Sequence, residues 1–306
     1  MNFYLAYGII IRSEISLNSL LKYDGEESED FISVRLGKVP DSLLKPASVE
    51  KPFTIFNERE LLYHLPDRLK MYVANGNEVI IEPLNQNIEE VLLYFYSNGL
   101  AAALYQRNLI PFHVSGVCLN ESEVVLVAAP SRTGKSTMAV KLQERGFPIF
   151  TDDTAVLIVE NSQIFARASY PMTRLWEDSI EEQHIFKDGE KIQVYCQAES
   201  DKYGFHFHDN FASGKYKVKG LVFLEISGIG VELEPLSKSR TVKLLGQNIY
   251  RGQWVDGMKM GDEQFRLLLN IANAVPSFLA SRPAGEKSFD GFTDLIVNEV
   301  CQKVNK

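Results

Sequence analysis

Three groups of residues in this 306-residue chain have types and spacings that could do chemistry. The first follows an apolar run, Val124 to Ala128, and reads Ala129-Pro130-Ser131-Arg132-Thr133-Gly134-Lys135-Ser136-Thr137. A helical pattern comes next, with Met138, Ala139 and Leu142 on one side and Gly146 as its stop. Gly134-Lys135-Ser136 is the end of a phosphate-loop pattern, with Ala129 where the first glycine would stand. In such a turn successive backbone N–H groups point inward at phosphate oxygens. The helix N-terminus adds a partial positive charge of about half an elementary unit. Residues Ser131, Arg132, Thr133, Gly134, Lys135, Ser136 and Thr137 are therefore expected to hold a nucleotide's phosphates. Lys135 is the cation for the β- and γ-phosphates, and the Ser136 hydroxyl is a ligand for Mg²⁺. Alanine at 129 costs little where that position needs no positive φ.

The second group is Asp152-Asp153, 17 residues after Lys135 and at the end of an apolar strand. Side chains alternate along a strand, so two adjacent carboxylates face different ways. One can face Mg²⁺ while the other faces an acceptor hydroxyl and takes its proton during phosphoryl transfer. An isolated Asp-Asp is more often a solvated turn; its place one strand-and-helix unit after the loop singles it out. The third is His113, 22 residues before Lys135, on a strand expected to pair with the one entering the loop.

His113, the loop ending Gly134-Lys135-Ser136-Thr137, Arg145-Gly146, a short strand and Asp152-Asp153 resemble the catalytic core of the HPr kinase/phosphorylase family. Order and spacing both agree, over about residues 109 to 160. The resemblance implies ATP as donor and a protein serine as acceptor. It implies Asp152 as the base, Asp153 at the Mg²⁺ site, His113 beside Asp152, and Lys135 and Ser136 on the phosphates and metal. The family's Glu-Ile-Arg-Gly-Leu-Gly-type segment has a counterpart only in Glu225-Ile226-Ser227-Gly228-Ile229-Gly230, which lies farther downstream and lacks the arginine. Tyr170-Pro171-Met172-Thr173-Arg174-Leu175-Trp176, with Leu109 to His113, is instead similar to HPr-kinase-related proteins of peptide-biosynthesis clusters. Some of those are lasso-peptide kinases, which phosphorylate a serine near the C-terminus of a ribosomal precursor peptide. On that reading Arg174 contacts a phosphate or peptide carboxylate and Glu177 supplies a metal carboxylate; the bland reading is a surface ion pair. An HPr kinase/phosphorylase acting on HPr and a non-catalytic nucleotide-binding regulatory module stay open as alternatives.

The rest of the chain bounds these expectations. Basic residues number 32 and acidic 40, a net charge of −8, so the bulk field favours neither nucleic acid nor an anionic membrane. Any phosphate site must then be local. Hydrophobic residues at 45% and charged residues at 24% describe a globular chain. Cys118, Cys196 and Cys301, odd in number and far apart, fit reduced thiols in a cytosol. With no leader-like start and no long apolar run, the expectation is a cytoplasmic protein, with a homo-oligomer left open. His206 and His208 share a face but have no third ligand at metal spacing. Tyr203, Phe205, Phe207 and Phe211 read as core or loop, and Lys215, Lys217 and Lys219 as a solvated strand face.

Residues 1–85 read as a β-rich region of short strands, with Asn75-Gly76-Asn77 a hairpin turn. Asn87 caps a buried helix that runs to about Arg107 and makes 86–108 a connector. The remaining 109–306 are expected to form the phosphate-loop catalytic domain. The fold class is α/β, an HPr-kinase-like core on a mixed sheet behind the β-rich region.

Overall fold

The structure is a computed structural model that describes residues 1–26, 28–130, 132–183, 192–196, 201–227, 230–283 and 289–304. Its contacts divide the chain into two compact units: Met1–Pro111 with Tyr250–Phe265, and Phe112–Ile249 with Arg266–Lys306.

The first unit carries strands β1 (Asn2–Ala6), β2 (Ile9–Ser13), β3 (Leu21–Lys22), β4 (Phe31–Leu36), β5 (Val49–Lys51), β6 (Thr54–Phe56), β7 (Glu60–Leu65), β8 (Leu69–Ala74) and β9 (Glu78–Pro83). They form one sheet in the order β3-β1-β2-β4-β9-β8-β7-β6-β5. The stretch from Phe3 to Ile11 is a hairpin. Tyr7 and Gly8 have φ of 54° and 69°, the two consecutive left-handed residues of a tight turn that reverses the chain between Ala6 and Ile9. Asn75 and Gly76, at 52° and 69°, make the expected hairpin between β8 and β9 in the same way. Asn87 accepts a hydrogen bond from the Glu90 amide and opens α1 (Ile88–Tyr94), which passes through a π-helical turn, Phe95–Gly99, into α2 (Leu100–Gln106). Trp254, from the returning segment, packs in this unit on Phe56 and Tyr105 at centroid distances of 6.0 and 6.2 Å.

Glu60, at 4% exposure, is tied into this unit. It accepts from the amides of Leu44 and Lys45, from Asn57 Nδ2 and, at 2.6 Å, from the Tyr72 hydroxyl. Burial pushes the carboxyl up, but these donors outweigh it and hold Glu60 below the usual glutamate range. Tyr72→Phe removes one donor from a buried charge and should cost about 1–3 kcal/mol. Urea unfolding would show it as a lower midpoint with an unchanged slope.

The second unit continues with β10 (Pro111–Phe112), β11 (Val114–Cys118), β12 (Glu123–Ala128), α3 (Lys135–Glu144), β13 (Ile149–Thr151), β14 (Ala155–Glu160), β15 (Gln163–Ala168), β16 (Met172–Trp176) and α4 (Glu177–Gln183). It then adds β17 (Ile192–Cys196), β18 (Asp201–His206), β19 (Lys215–Ile226), β20 (Glu232–Pro235), α5 (Lys238–Gln247), α6 (Gly261–Ala274), β21 (Ser277–Arg282), α7 (Phe289–Ile296) and α8 (Gln302–Val304). The main sheet runs β10-β14-β15-β19-β12-β11-β13, with β21 beside β19 and β20 beside β21. β12, β19 and β21 are mutually parallel, whereas β11 pairs antiparallel with both β12 and β13. The sheet is therefore mixed, as a short strand–turn–strand before the loop requires. β16, β18 and β17 form a separate three-stranded antiparallel sheet.

Helix α3 is buried nearly all round, from Lys135 and from Thr137 to Leu142. The sequence pattern marks only one apolar side. Met138 and Leu142 join Val125, Val127, Phe292 and Ile296, while Val140 packs with Ile149, Leu175, Ile180 and Phe205 beside the small sheet. The second contact explains why the helix has so little amphipathic contrast. It also makes Phe205 a core residue. Among the described residues no helix is long and apolar enough to cross a membrane.

Candidate active site

The turn between β12 and α3 is positioned by both elements. β12 is a central strand, paired with β11 and β19, so the chain leaves a rigid sheet at Ala128. Ala129 is buried and has no positive φ, so the missing glycine imposes no strain. The Thr133 amide donates to the Pro130 carbonyl at 3.3 Å, and the Met138 amide to the Gly134 carbonyl at 2.8 Å. Gly134 has φ +102° and turns the chain into the helix. Ser131 lies outside the described residues. Lys135 and Thr137 are buried at 7% and 5% exposure, Ser136 is half-buried, and Arg132 is exposed, with φ +64°.

Gly134 is doubly constrained. A Cβ there would meet the Phe289 ring at 2.5 Å and would sit at a φ that L-residues rarely adopt. Gly134→Ala should cost about 2 kcal/mol or more in stability. Chemical denaturation checks this; an unchanged midpoint would show that the turn relaxes freely.

The acid pair lies on the turn after β13. Thr151 Oγ1 donates to the Thr154 carbonyl at 2.7 Å and receives the Ser169 amide at 3.3 Å, so the turn is braced from both sides. Asp152 is 1% exposed. Its Oδ1 accepts from the Ser115 hydroxyl of β11, and its Oδ2 from Thr173 Oγ1 at 2.8 Å and the Arg174 amide at 2.9 Å, both on β16. Burial alone would push this carboxyl up. The nearby Lys135 charge, the Ser115 hydroxyl and the Arg174 amide outweigh it, while Asp153 opposes them, and the net shift is below the usual aspartate range. Lys135 is thus one of the groups that hold the Asp152 carboxyl down.

Asp153 has φ +76°, which takes it out of the strand's alternation, and its side chain is 16% exposed. Its Oδ1 lies 3.7 Å from His113 Nδ1, and its Oδ2 accepts from Arg174 Nη1 at 3.3 Å. Arg174 Nη2 donates to the Tyr170 hydroxyl at 2.5 Å. His113, expected beside Asp152, therefore stands beside Asp153. The reason is local: the strand is interrupted at His113, whose amide donates to the Asn248 carbonyl at 2.6 Å, so Ser115 takes the place facing Asp152.

Arg145 is also accounted for structurally. Its guanidinium pairs with Asp290 at 3.0 Å and Asp294 at 3.1 Å, and Lys141 reaches Asp290 at 3.6 Å, tying α3 to α7. Glu177 lies with its Oε1 3.5 Å from the Tyr203 hydroxyl. The His206 and His208 rings are 4.8 Å apart, and burial, with His208, pushes His206 down to about 4. Among the described residues no group of three or more His, Cys, Asp or Glu side chains could hold a metal ion. Lys215 and Lys219 pair with Glu160 and Glu123 on the strand surface. Ser115 was within reach of the sequence, two residues from His113 and hence on the same strand face; Tyr170 and Thr173 carried no signal beyond their stretch.

Because Asp152's carboxyl sits below its ordinary range in the fold, it contributes stability above the unfolded-state value that is lost as pH falls through the lower folded-state value. Below about pH 4 the native chain should therefore lose stability with a steeper pH dependence than Asp152→Asn. Equal slopes in acid titrations followed by circular dichroism would contradict this.

No family model matches the chain. No curated protein matches it either. Among solved structures it is similar to the HPr(Ser) kinase/phosphatase from Coxiella burnetii, at 11% identity and a TM-score of 0.33, over 64% of this chain and 99% of that one. A likeness of that degree leaves the question of function to the residues themselves.

Proposed function

We propose that the chain is an ATP-dependent serine kinase whose acceptor is a peptide, a serine near the C-terminus of a lasso-peptide precursor. The observation that supports the phosphotransfer reading is that β16 touches both groups: Arg132 of the loop stacks on Trp176, and Thr173 and the Arg174 amide donate to Asp152. The acceptor class rests on the resemblance of the stretch from Tyr170 to Trp176, whose Arg174 bonds the Asp153 carboxylate and the Tyr170 hydroxyl.

The loop amides and Lys135 bind the phosphates and offset charge on the transferred group. Mg²⁺ takes few protein ligands and fills its shell with water and phosphate oxygens, so one hydroxyl suits it; when bound it neutralises charge between the β- and γ-phosphates. Ser136 is the residue to hold it. Asp153, expected at the metal, already faces Arg174 at 3.3 Å and His113 at 3.7 Å, which disfavours a further cation on it.

The roles of the two acids are accordingly exchanged. Asp152 takes three donors and is held anionic, which suits it to fix β16 against β11. Asp153 is the more exposed carboxylate and is the one to orient the acceptor. The serine oxygen attacks the γ-phosphorus, the bond from that phosphorus to the ADP oxygen breaks, and the serine proton passes to Asp153 and then to solvent. His113 and Arg174 hold Asp153 in place.

Incubation with Mg²⁺, ATP and a serine-containing precursor peptide should give equal amounts of ADP and phosphoserine, located by mass spectrometry. ADP formed at the same rate with or without peptide, and no phosphopeptide, would contradict the acceptor assignment.

A further inference from the structure

Arg132 sits at the tip of the phosphate loop with φ +64°, a backbone conformation that suits glycine and not arginine. Its guanidinium lies 4.6 Å over the ring of Trp176. We propose that Arg132 is a second phosphate-binding cation of the loop and that Trp176 is the positioning platform that aims it; this rests on the nucleotide-binding reading above.

Geometry and chemistry support the assignment together. Stacking on an aromatic ring uses the face of a guanidinium and leaves its five N–H donors in the plane, pointing outward. Among the described residues Arg132 forms no hydrogen bond or ion pair, so that fork is uncommitted there. The ring beneath it is not a chance surface. Trp176 ends β16, paired in register with Lys202 of β18, and the same strand supplies Thr173 and the Arg174 amide to Asp152. Arg132 is therefore held between the loop and the strand whose Thr173 and Arg174 donate to Asp152. An arginine resting on the nearest apolar surface would explain the stacking. It would not explain why the turn keeps a large side chain at a left-handed position. A planar fork also complements Lys135, since it can grip two oxygens of one phosphate where an ammonium acts as a point charge.

The expected ligand group is the β,γ end of a nucleoside triphosphate. Arg132→Gly, which suits the left-handed backbone, and Arg132→Lys, which keeps the charge and loses the fork, should each weaken MgATP binding about 10-fold or more by calorimetry. AMP, which lacks those phosphates, should bind both variants within about 2-fold of wild type. Trp176 emission should change on MgATP addition with the same midpoint as the heat, and Trp176→Phe, which leaves Trp254 in place, should abolish the response. Retained melting temperatures separate this from a merely structural role, and Arg132→Lys serves if the glycine variant fails to fold. Wild-type MgATP affinity in both arginine variants, with no change in Trp176 emission, would overturn the proposal and leave nucleotide binding intact. A wild-type chain that binds no MgATP would overturn the underlying reading itself.

Discussion

Lys135→Met should abolish phosphoryl transfer, with a loss of about 100-fold or more, while the chain remains folded. Methionine preserves the length and apolar stem of a side chain that is 7% exposed and begins α3, so the packing around it survives. What is lost is the charge. On the proposed reading that charge meets the phosphates, and it helps to hold the Asp152 carboxyl down. Without it the buried Asp152 keeps three donors but loses its counter-charge, so its carboxyl should rise. The variant should then lose less further stability on going into acid than the native chain does. Steady-state ADP release with the peptide acceptor measures the first effect, and acid titration the second. A variant that turns over at the native rate would remove Lys135 from the site.

The two aspartates separate along a different axis. Asp153→Asn should lower turnover by about 100-fold or more and leave MgATP affinity nearly unchanged, because the lost group receives a proton and does not touch the donor's phosphates. Asp152→Asn should act mainly on the fold. An asparagine there keeps one acceptor but brings two N–H donors toward the Ser115 and Thr173 hydroxyls and the Arg174 amide, and mismatched buried partners cost about 1–3 kcal/mol each. The comparison is therefore between turnover at equal ATP saturation and midpoints of unfolding. Full activity in Asp153→Asn, with loss confined to Asp152→Asn, would return the base to Asp152 as the family resemblance implies.

Local rules made parts of this molecule legible before any coordinates. Asn75-Gly76 and Asn87 declare a hairpin and a helix cap through their own backbone preferences, and Gly134 and Gly146, at φ +102° and +90°, bound a helix whose ends need left-handed residues. The mixed sheet followed from a short turn between Cys118 and Glu123, which only antiparallel strands can use. Long-range contacts were not legible. Nothing in Val140 announces that it packs against Phe205, or in Trp254 that it joins Tyr105 in the first unit. The histidine's partner was misassigned for a similar reason. Alternation along a regular strand points His113 one way, but the strand breaks at that residue and Asp153 leaves its own register through a left-handed φ. Arg174 was expected on a phosphate or peptide carboxylate, or else in a surface ion pair; its pairing with the mostly buried Asp153 depends on a strand some 20 residues away folding back over the acid turn.

On the function proposed above, the turn before α3 grips a nucleotide's phosphates through Lys135. Calorimetric titration of MgATP into the whole chain, alongside Lys135→Met, tests it most directly. A saturable heat with one nucleotide per chain, lost in the variant, is the result predicted. No heat from the native chain, or the same heat from both, would contradict it.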